Sequence, residues 1–171
     1  MAIYYGDGSG GGNSTNGRIL QVQRTTKSNT FSNNSDSFTD ITGMNVTITP
    51  HHSGNKILII ATLDWGTSQD GYSSLRLVRG STAIGVAPSS YSRTVCGFAL
   101  QANNNAHNKL YTATYTYLDE PATTSSTNYK LQCRTYSGDN RYFTLNRTQY
   151  DANANYHHRG VSRIMALEVA A

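Results

Sequence analysis

The chain has 171 residues, the size of one sandwich or barrel domain with a sizeable core, so no second domain is needed. Charged residues are only 14%, against roughly 25% in ordinary soluble domains, and Ser, Thr and Asn together make up about a third, which gives a surface of neutral hydrogen-bonding groups. The formal charge of +4 comes from ten Arg and four Lys scattered without a dense basic run, and the longest apolar run, Ile57 to Ala61, is strand-sized; neither nucleic-acid binding nor membrane insertion is expected.

At the start, Met1-Ala2-Ile3-Tyr4-Tyr5 lacks the basic and apolar regions of a signal peptide, and synthesis in a cytoplasm is expected. Residues Gly6 to Gly17 are rich in Gly, Ser and Asn and offer little to bury, so 1–17 reads as a docking peptide on a glycine linker and 18–171 as the folded domain. Ile3, Tyr4 and Tyr5 are the candidate docking residues, able to pair as a strand or enter a groove on another protein.

From Arg18 onward the periodicity is two. Strands are expected at Arg18–Arg24 and around Phe38–Ile41, and Met44, Val46 and Ile48 alternate with polar residues up to Pro50. Ile57, Ile59, Ala61, Leu63 and Trp65 share one face of a central strand whose other face passes from Leu58 and Ile60 to Thr62 and Asp64. Leu75 and Leu77 mark the next strand, followed by Ala83–Val86 and Val95–Leu100. Leu110–Leu118, filled with Thr and Tyr, is the strongest β signal in the chain. Asn128–Tyr136, Arg141–Leu145 and Val161–Val169 complete roughly ten strands. Clusters such as Ser32-Asn33-Asn34-Ser35-Asp36 and Ser137-Gly138-Asp139-Asn140 are turn chemistry. Strands without crossover helices make an all-β, antiparallel β-sandwich, jelly-roll-like, with a closed barrel as the alternative.

Candidate chemistry is sparse. His51-His52 and His157-His158 have the donors of a metal site, but neighbours on a strand point to opposite faces, and the expectation is no metal. Asp64, Asp70, Asp119, Glu120, Asp139, Asp151 and Glu168 are the carboxylates that glycoside hydrolysis would need, yet no motif places an acid beside a base. No nucleophile elbow or phosphate loop occurs, so neither an enzyme nor a cofactor is expected. Cys96 and Cys133, each inside an apolar alternating stretch, read as reduced packing residues.

The aromatic residues carry more information. Trp65, Tyr72, Tyr91, Tyr136, Tyr142, Tyr150 and Tyr156 lie at or beyond strand ends among Asn, Ser, Asp and Arg, a vocabulary that suits stacking on sugar rings and equally a protein interface. On the Leu110–Leu118 strand, Tyr111, Tyr115 and Tyr117 share a face broad enough to meet another subunit, and few Lys or Pro guard the strand edges.

Several blocks resemble a known family: Gly17-Arg18-Ile19-Leu20-Gln21-Val22, Phe38-Thr39-Asp40-Ile41-Thr42-Gly43-Met44-Asn45-Val46-Thr47-Ile48-Thr49-Pro50, Asn55-Lys56-Ile57-Leu58-Ile59, Leu75-Arg76-Leu77-Val78-Arg79-Gly80, Tyr117-Leu118-Asp119-Glu120-Pro121 and Met165-Ala166-Leu167-Glu168-Val169. Over nearly the whole chain after the linker they resemble the small tail-fibre and virion structural proteins of marine, especially cyanobacterial, phages. The resemblance implies a β-rich virion protein, commonly a homotrimer; with the residue readings above, the chain is expected to be assembled in the host bacterial cytoplasm, to join other virion proteins through the N-terminal arm and to contribute to recognition of host cell-surface glycan. A capsid decoration or cement protein is the structural alternative, and a glycan depolymerase the enzymatic one. These blocks are strand and turn patterns and name no active residue.

Overall fold

The computed structural model describes residues 17–67, 72–102, 106–136 and 141–171. The expected docking residues Ile3, Tyr4 and Tyr5 lie outside the described residues. Eleven strands are described, with a single 3-10 turn, Ala106–Asn108; no helix among the described residues is long and apolar enough to cross a membrane.

The first sheet is built on β4 (Lys56–Thr67). On one side lies β11 (Ser162–Val169), with β1 (Ile19–Lys27) outside it; on the other lies β8 (Tyr111–Asp119). Where β11 ends, β10 (Phe143–Leu145) takes over beside Trp65–Thr67, and β2 (Phe31–Asn33) pairs beyond it. The second sheet runs β3 (Thr39–Ile48), β9 (Thr127–Thr135), β5 (Tyr72–Arg79). The far edge of β5 is shared by β6 (Thr82–Ile84) at one end and β7 (Phe98–Gln101) at the other. Every pairing is antiparallel. The pairs nest: β1 with β11, β3 with β9, β4 with β8, and β5 with β6 and β7, each deeper in the chain and distributed over two sheets. That is the jelly roll, and the chain is an antiparallel β-sandwich.

Alternation in the sequence decides which side chains meet between the sheets. Ile57, Ile59, Ala61, Leu63 and Trp65 of β4, with Ile164 and Ala166 of β11, face Met44, Val46 and Ile48 of β3, Leu75 and Leu77 of β5, and Tyr129, Leu131 and Cys133 of β9, all buried. Burying a large aliphatic side chain contributes about 1.5–3 kcal/mol, so this double row is the main source of stability.

Three details differ from the sequence expectation. The segments expected around Phe38–Ile41 and at Met44–Ile48 form one strand, Thr39–Ile48, because Gly43, at φ 81°, lets the backbone bulge between Asp40 and Asn45 and resume its pairing with β9. Phe31–Asn33 is a strand although it enters a turn-rich cluster; Phe31 meets Phe143 edge to face at 6.5 Å, and tertiary packing outweighs local turn preference. Cys96 lies in the connection between β6 and β7, half-buried, whereas Cys133 is in the core, where burial pushes its thiol up to about 12; both are free.

The outer face of the first sheet carries an apolar row that the register assembles from four strands: Val22 beside Leu167, Leu167 beside Leu58, Leu58 beside Leu118. Its two ends, Val22 and Leu118, are 52% and 47% exposed.

Candidate aromatic and arginine cleft

The second sheet's outer face ends in a cleft. Ser73 pairs with Thr135 and both point inward, so their neighbours Tyr72 and Ser74 on β5, and Arg134 and Tyr136 at the end of β9, must point outward. The ladder continues one residue past β9, with the Tyr136 amide donating to the Tyr72 carbonyl at 3.0 Å, and this holds the two exposed tyrosines side by side. Arg141 comes in just ahead of β10 and brings its guanidinium carbon to 5.7 Å from the Tyr72 ring centre and 5.2 Å from that of Tyr136. Both distances are within cation–π range. Thr94, from the β6–β7 connection, closes the side and accepts a hydrogen bond from Arg134 at 3.3 Å. Tyr72, Ser74, Thr94, Arg134, Tyr136 and Arg141 together line a cleft of about 330 Å³.

The same face continues away from the cleft as a chain of polar contacts. The Arg76 guanidinium lies 4.1 Å over the Phe38 ring and donates to Gln132 at 2.8 Å; Gln132 donates to Asp40 at 2.6 Å, and Lys130 pairs with Asp40 at 2.7 Å. Hydrogen bonds from Lys130 and then Gln132 hold the Asp40 carboxyl below its ordinary value.

Of the seven aromatic residues singled out in the sequence, Tyr72 and Tyr136 meet in this cleft. Trp65 does not lie at an exposed strand end: it is buried and stacks on Tyr111 at 4.9 Å. Tyr91 is 97% exposed at φ 51° in the β6–β7 connection. Tyr142 is half-buried, its carbonyl taking the Thr67 hydroxyl at 2.9 Å. Tyr150 stacks on His107 at 4.5 Å and Tyr156 stands edge-on to His157 at 4.6 Å, both exposed and near a smaller hollow lined in part by Asp151, His157, His158 and Arg159.

The tyrosines expected to face another subunit turn the other way. Tyr111, Tyr115 and Tyr117 are half-buried against the chain's own core, Tyr115 stacked on Phe98 at 4.8 Å and donating to the Gly85 carbonyl at 3.0 Å. Their inward turn follows from β8 forming the edge of the first sheet with that face toward the second; Thr112, Thr114, Thr116 and Leu118 are the exposed set.

Two of the histidines and several of the carboxylates have partners within the chain. His51 bonds Glu168 at 2.6 Å, and His157 bridges the Ala152 carbonyl and Asn108. Among the described residues no group of three or more His, Cys, Asp or Glu converges as a metal site would require. Asp64 accepts from Thr112 and the Val161 amide, Asp119 from Arg79 and Tyr129, Glu120 pairs with Lys56, and Asp151 with Arg159. Asp70 and Asp139 lie outside the described residues.

Sequence reasoning did not single out Arg134, Arg141, Ser74 or Thr94. A signal was present in part, since Tyr72-x-Ser74 and Arg134-x-Tyr136 each place two outward residues at a strand end, but which strands lie side by side is not written in either segment.

A scan against protein-family models finds no match for this chain. A search of curated proteins finds none either. Among solved structures the chain is similar to one in the structure of infectious bursal disease virus, Gx strain, with 16% identity and a TM-score of 0.36 over 90% of this chain. The match spans 39% of that chain's length, and a likeness of this degree carries no functional argument.

Proposed function

We propose that this chain is a non-enzymatic structural protein of a phage virion, a short fibre or appendage that holds host-surface glycan in the Tyr72–Tyr136 cleft. The observation that carries the glycan reading is the pairing of two exposed tyrosine rings around Arg141 beside the hydroxyls of Ser74 and Thr94. Ring faces stack on the apolar faces of sugars, and neutral hydroxyls exchange hydrogen bonds with sugar hydroxyls. The virion placement rests on the family resemblance, with which a jelly-roll sandwich is consistent.

Self-association belongs to the same proposal. The surface for it is the outer face of the first sheet, where the row Val22, Leu167, Leu58 and Leu118 crosses four strands, and not the tyrosine face of β8. The threefold number comes from the resemblance alone.

A glycan-array screen of the full chain, repeated with Tyr72→Ala and Tyr136→Ala, tests the glycan reading. Binding is expected for the parent and a loss of at least tenfold in each variant, with the thermal midpoint unchanged because both side chains are exposed. Equal binding by parent and variants would move the site elsewhere, and absence of all glycan binding would remove the reading. Immunogold localisation on particles tests the virion placement.

A further inference from the structure

We infer that the ligand of the Tyr72–Tyr136 cleft is an anionic saccharide, one bearing a carboxylate or sulfate ester that Arg141 and Arg134 engage; this rests on the glycan reading of the cleft. Two guanidinium groups line one small cavity, and among the described residues neither is paired with a carboxylate. Among the described residues Arg141 meets the faces of the two tyrosine rings, and Arg134 donates to the neutral Thr94 hydroxyl. Three arginines elsewhere do have carboxylates: Arg79 has Asp119 at 2.9 Å, Arg159 has Asp151 at 2.7 Å and Arg147 has the same Asp151 at 4.0 Å.

Among the described residues the cavity wall carries no carboxylate. Its other polar groups are the hydroxyls of Ser74, Thr94 and the two tyrosines, and Asp40, the carboxylate on the same sheet face, is tied to Lys130 and Gln132. Two cations in one cleft repel each other, and an anion between them reverses the sign of that interaction. The guanidinium fork suits this role, since it offers parallel N–H donors that match two oxygens of a carboxylate or sulfate. Flanking rings narrow the positions Arg141 can take, so less side-chain freedom is lost when the anion binds. A neutral sugar would gain the stacking and hydroxyl contacts while leaving both charges unanswered.

The experiment titrates the full chain with three probes, a galacturonic acid trisaccharide, a sulfated galactan oligosaccharide and a neutral galactose trisaccharide, followed by calorimetry at low and high salt. At least one anionic probe is expected to bind tenfold or more tightly than the neutral one. That binding should weaken about tenfold in Arg141→Gln and in Arg134→Gln, and also in high salt, because exposed charge pairs are screened. Binding of the uronate alone or the sulfate alone supports the inference and names the anion. If the neutral probe binds as tightly as both anions, and the arginine variants bind like the parent, the inference is overturned while the glycan reading stands. Should no probe bind and glycans of every class fail on the array, the reading of the cleft falls and the inference with it. Unchanged far-ultraviolet dichroism in the two variants guards against misfolding as the cause.

Discussion

Glu168 is fully buried on β11, in the inward register of Ile164 and Ala166, and its cost is met by four donors. Asn55 donates at 2.6 Å, Gln21 at 2.7 Å, and His51 approaches through its amide at 2.7 Å and its ring nitrogen at 2.6 Å. Burial is the largest single influence and pushes the carboxyl up, but the four hydrogen bonds together outweigh it and bring it down to about 2. A carboxyl lowered in the folded state stabilises the protein above its unfolded value of 4.5 and loses that contribution as pH falls toward 2. The difference corresponds to about 3 kcal/mol at neutral pH. Urea unfolding at pH 7 and pH 3 should therefore show a steep acid loss in the parent. Glu168→Gln should be less stable at pH 7 by roughly 2–3 kcal/mol and flatter toward acid, since it leaves buried donors facing an amide. Asn146 is a second such residue: at φ 60° and fully buried, it donates to the Lys27 and Asn29 carbonyls and accepts from Ser162, three bonds that offset a left-handed backbone and tie β1, β10 and β11 together.

At the scale of the element, the approach of β6 to β8 depends on one glycine. Gly85 follows β6 at φ 60°, and a side chain there would run into the rings of Tyr115 and Tyr117. Gly80 has the same φ in the turn between β5 and β6, with nothing within 4 Å of a added Cβ position. The pair separates backbone strain from collision. Gly80→Ala should cost only the left-handed penalty, about 1–2 kcal/mol. Gly85→Ala should cost that plus the displacement of two packed tyrosines, in all about 3 kcal/mol or more, read as the difference in thermal or denaturant midpoints.

For the whole molecule, the two outer faces differ in kind. The first sheet presents hydrocarbon in a row across β1, β11, β4 and β8; the second presents Arg76, Arg134, Arg141 and Lys130 with aromatic rings. One face suits permanent contact with protein and the other suits a hydrated polar ligand. Sedimentation at micromolar concentration should show an oligomer for the parent and a monomer for the Val22→Asp, Leu118→Asp double variant. Because both side chains are about half exposed in the single chain, the variant should keep the far-ultraviolet dichroism of the folded protein. A parent that sediments as a monomer would end the proposal of self-association.

Much of the core was legible in the chain because alternation is a local property: Ile57 through Leu63 and Met44 through Ile48 declare their buried faces without reference to any partner. The same locality explains the failures. Tyr111, Tyr115 and Tyr117 share a face in any strand, but whether that face looks inward depends on the register in which β8 pairs with β4, which sets Tyr115 opposite Ala61 and Tyr117 opposite Ile59. Trp65 reads as a strand end by its neighbours, and only the stacking of Tyr111 shows it covered. Glu168 is in sequence one more carboxylate that hydrolysis could use; its donors come from positions 21, 51 and 55, more than a hundred residues away in the chain. The cleft is the same case, since Tyr72, Thr94, Tyr136 and Arg141 lie on separate segments that become neighbours only when β9 pairs with β5. Composition and period two by themselves determined an antiparallel all-β fold with these buried rows; strand order, set by packing between distant segments, decided that it is a two-sheet sandwich and not a closed barrel, and which polar and aromatic residues face one another.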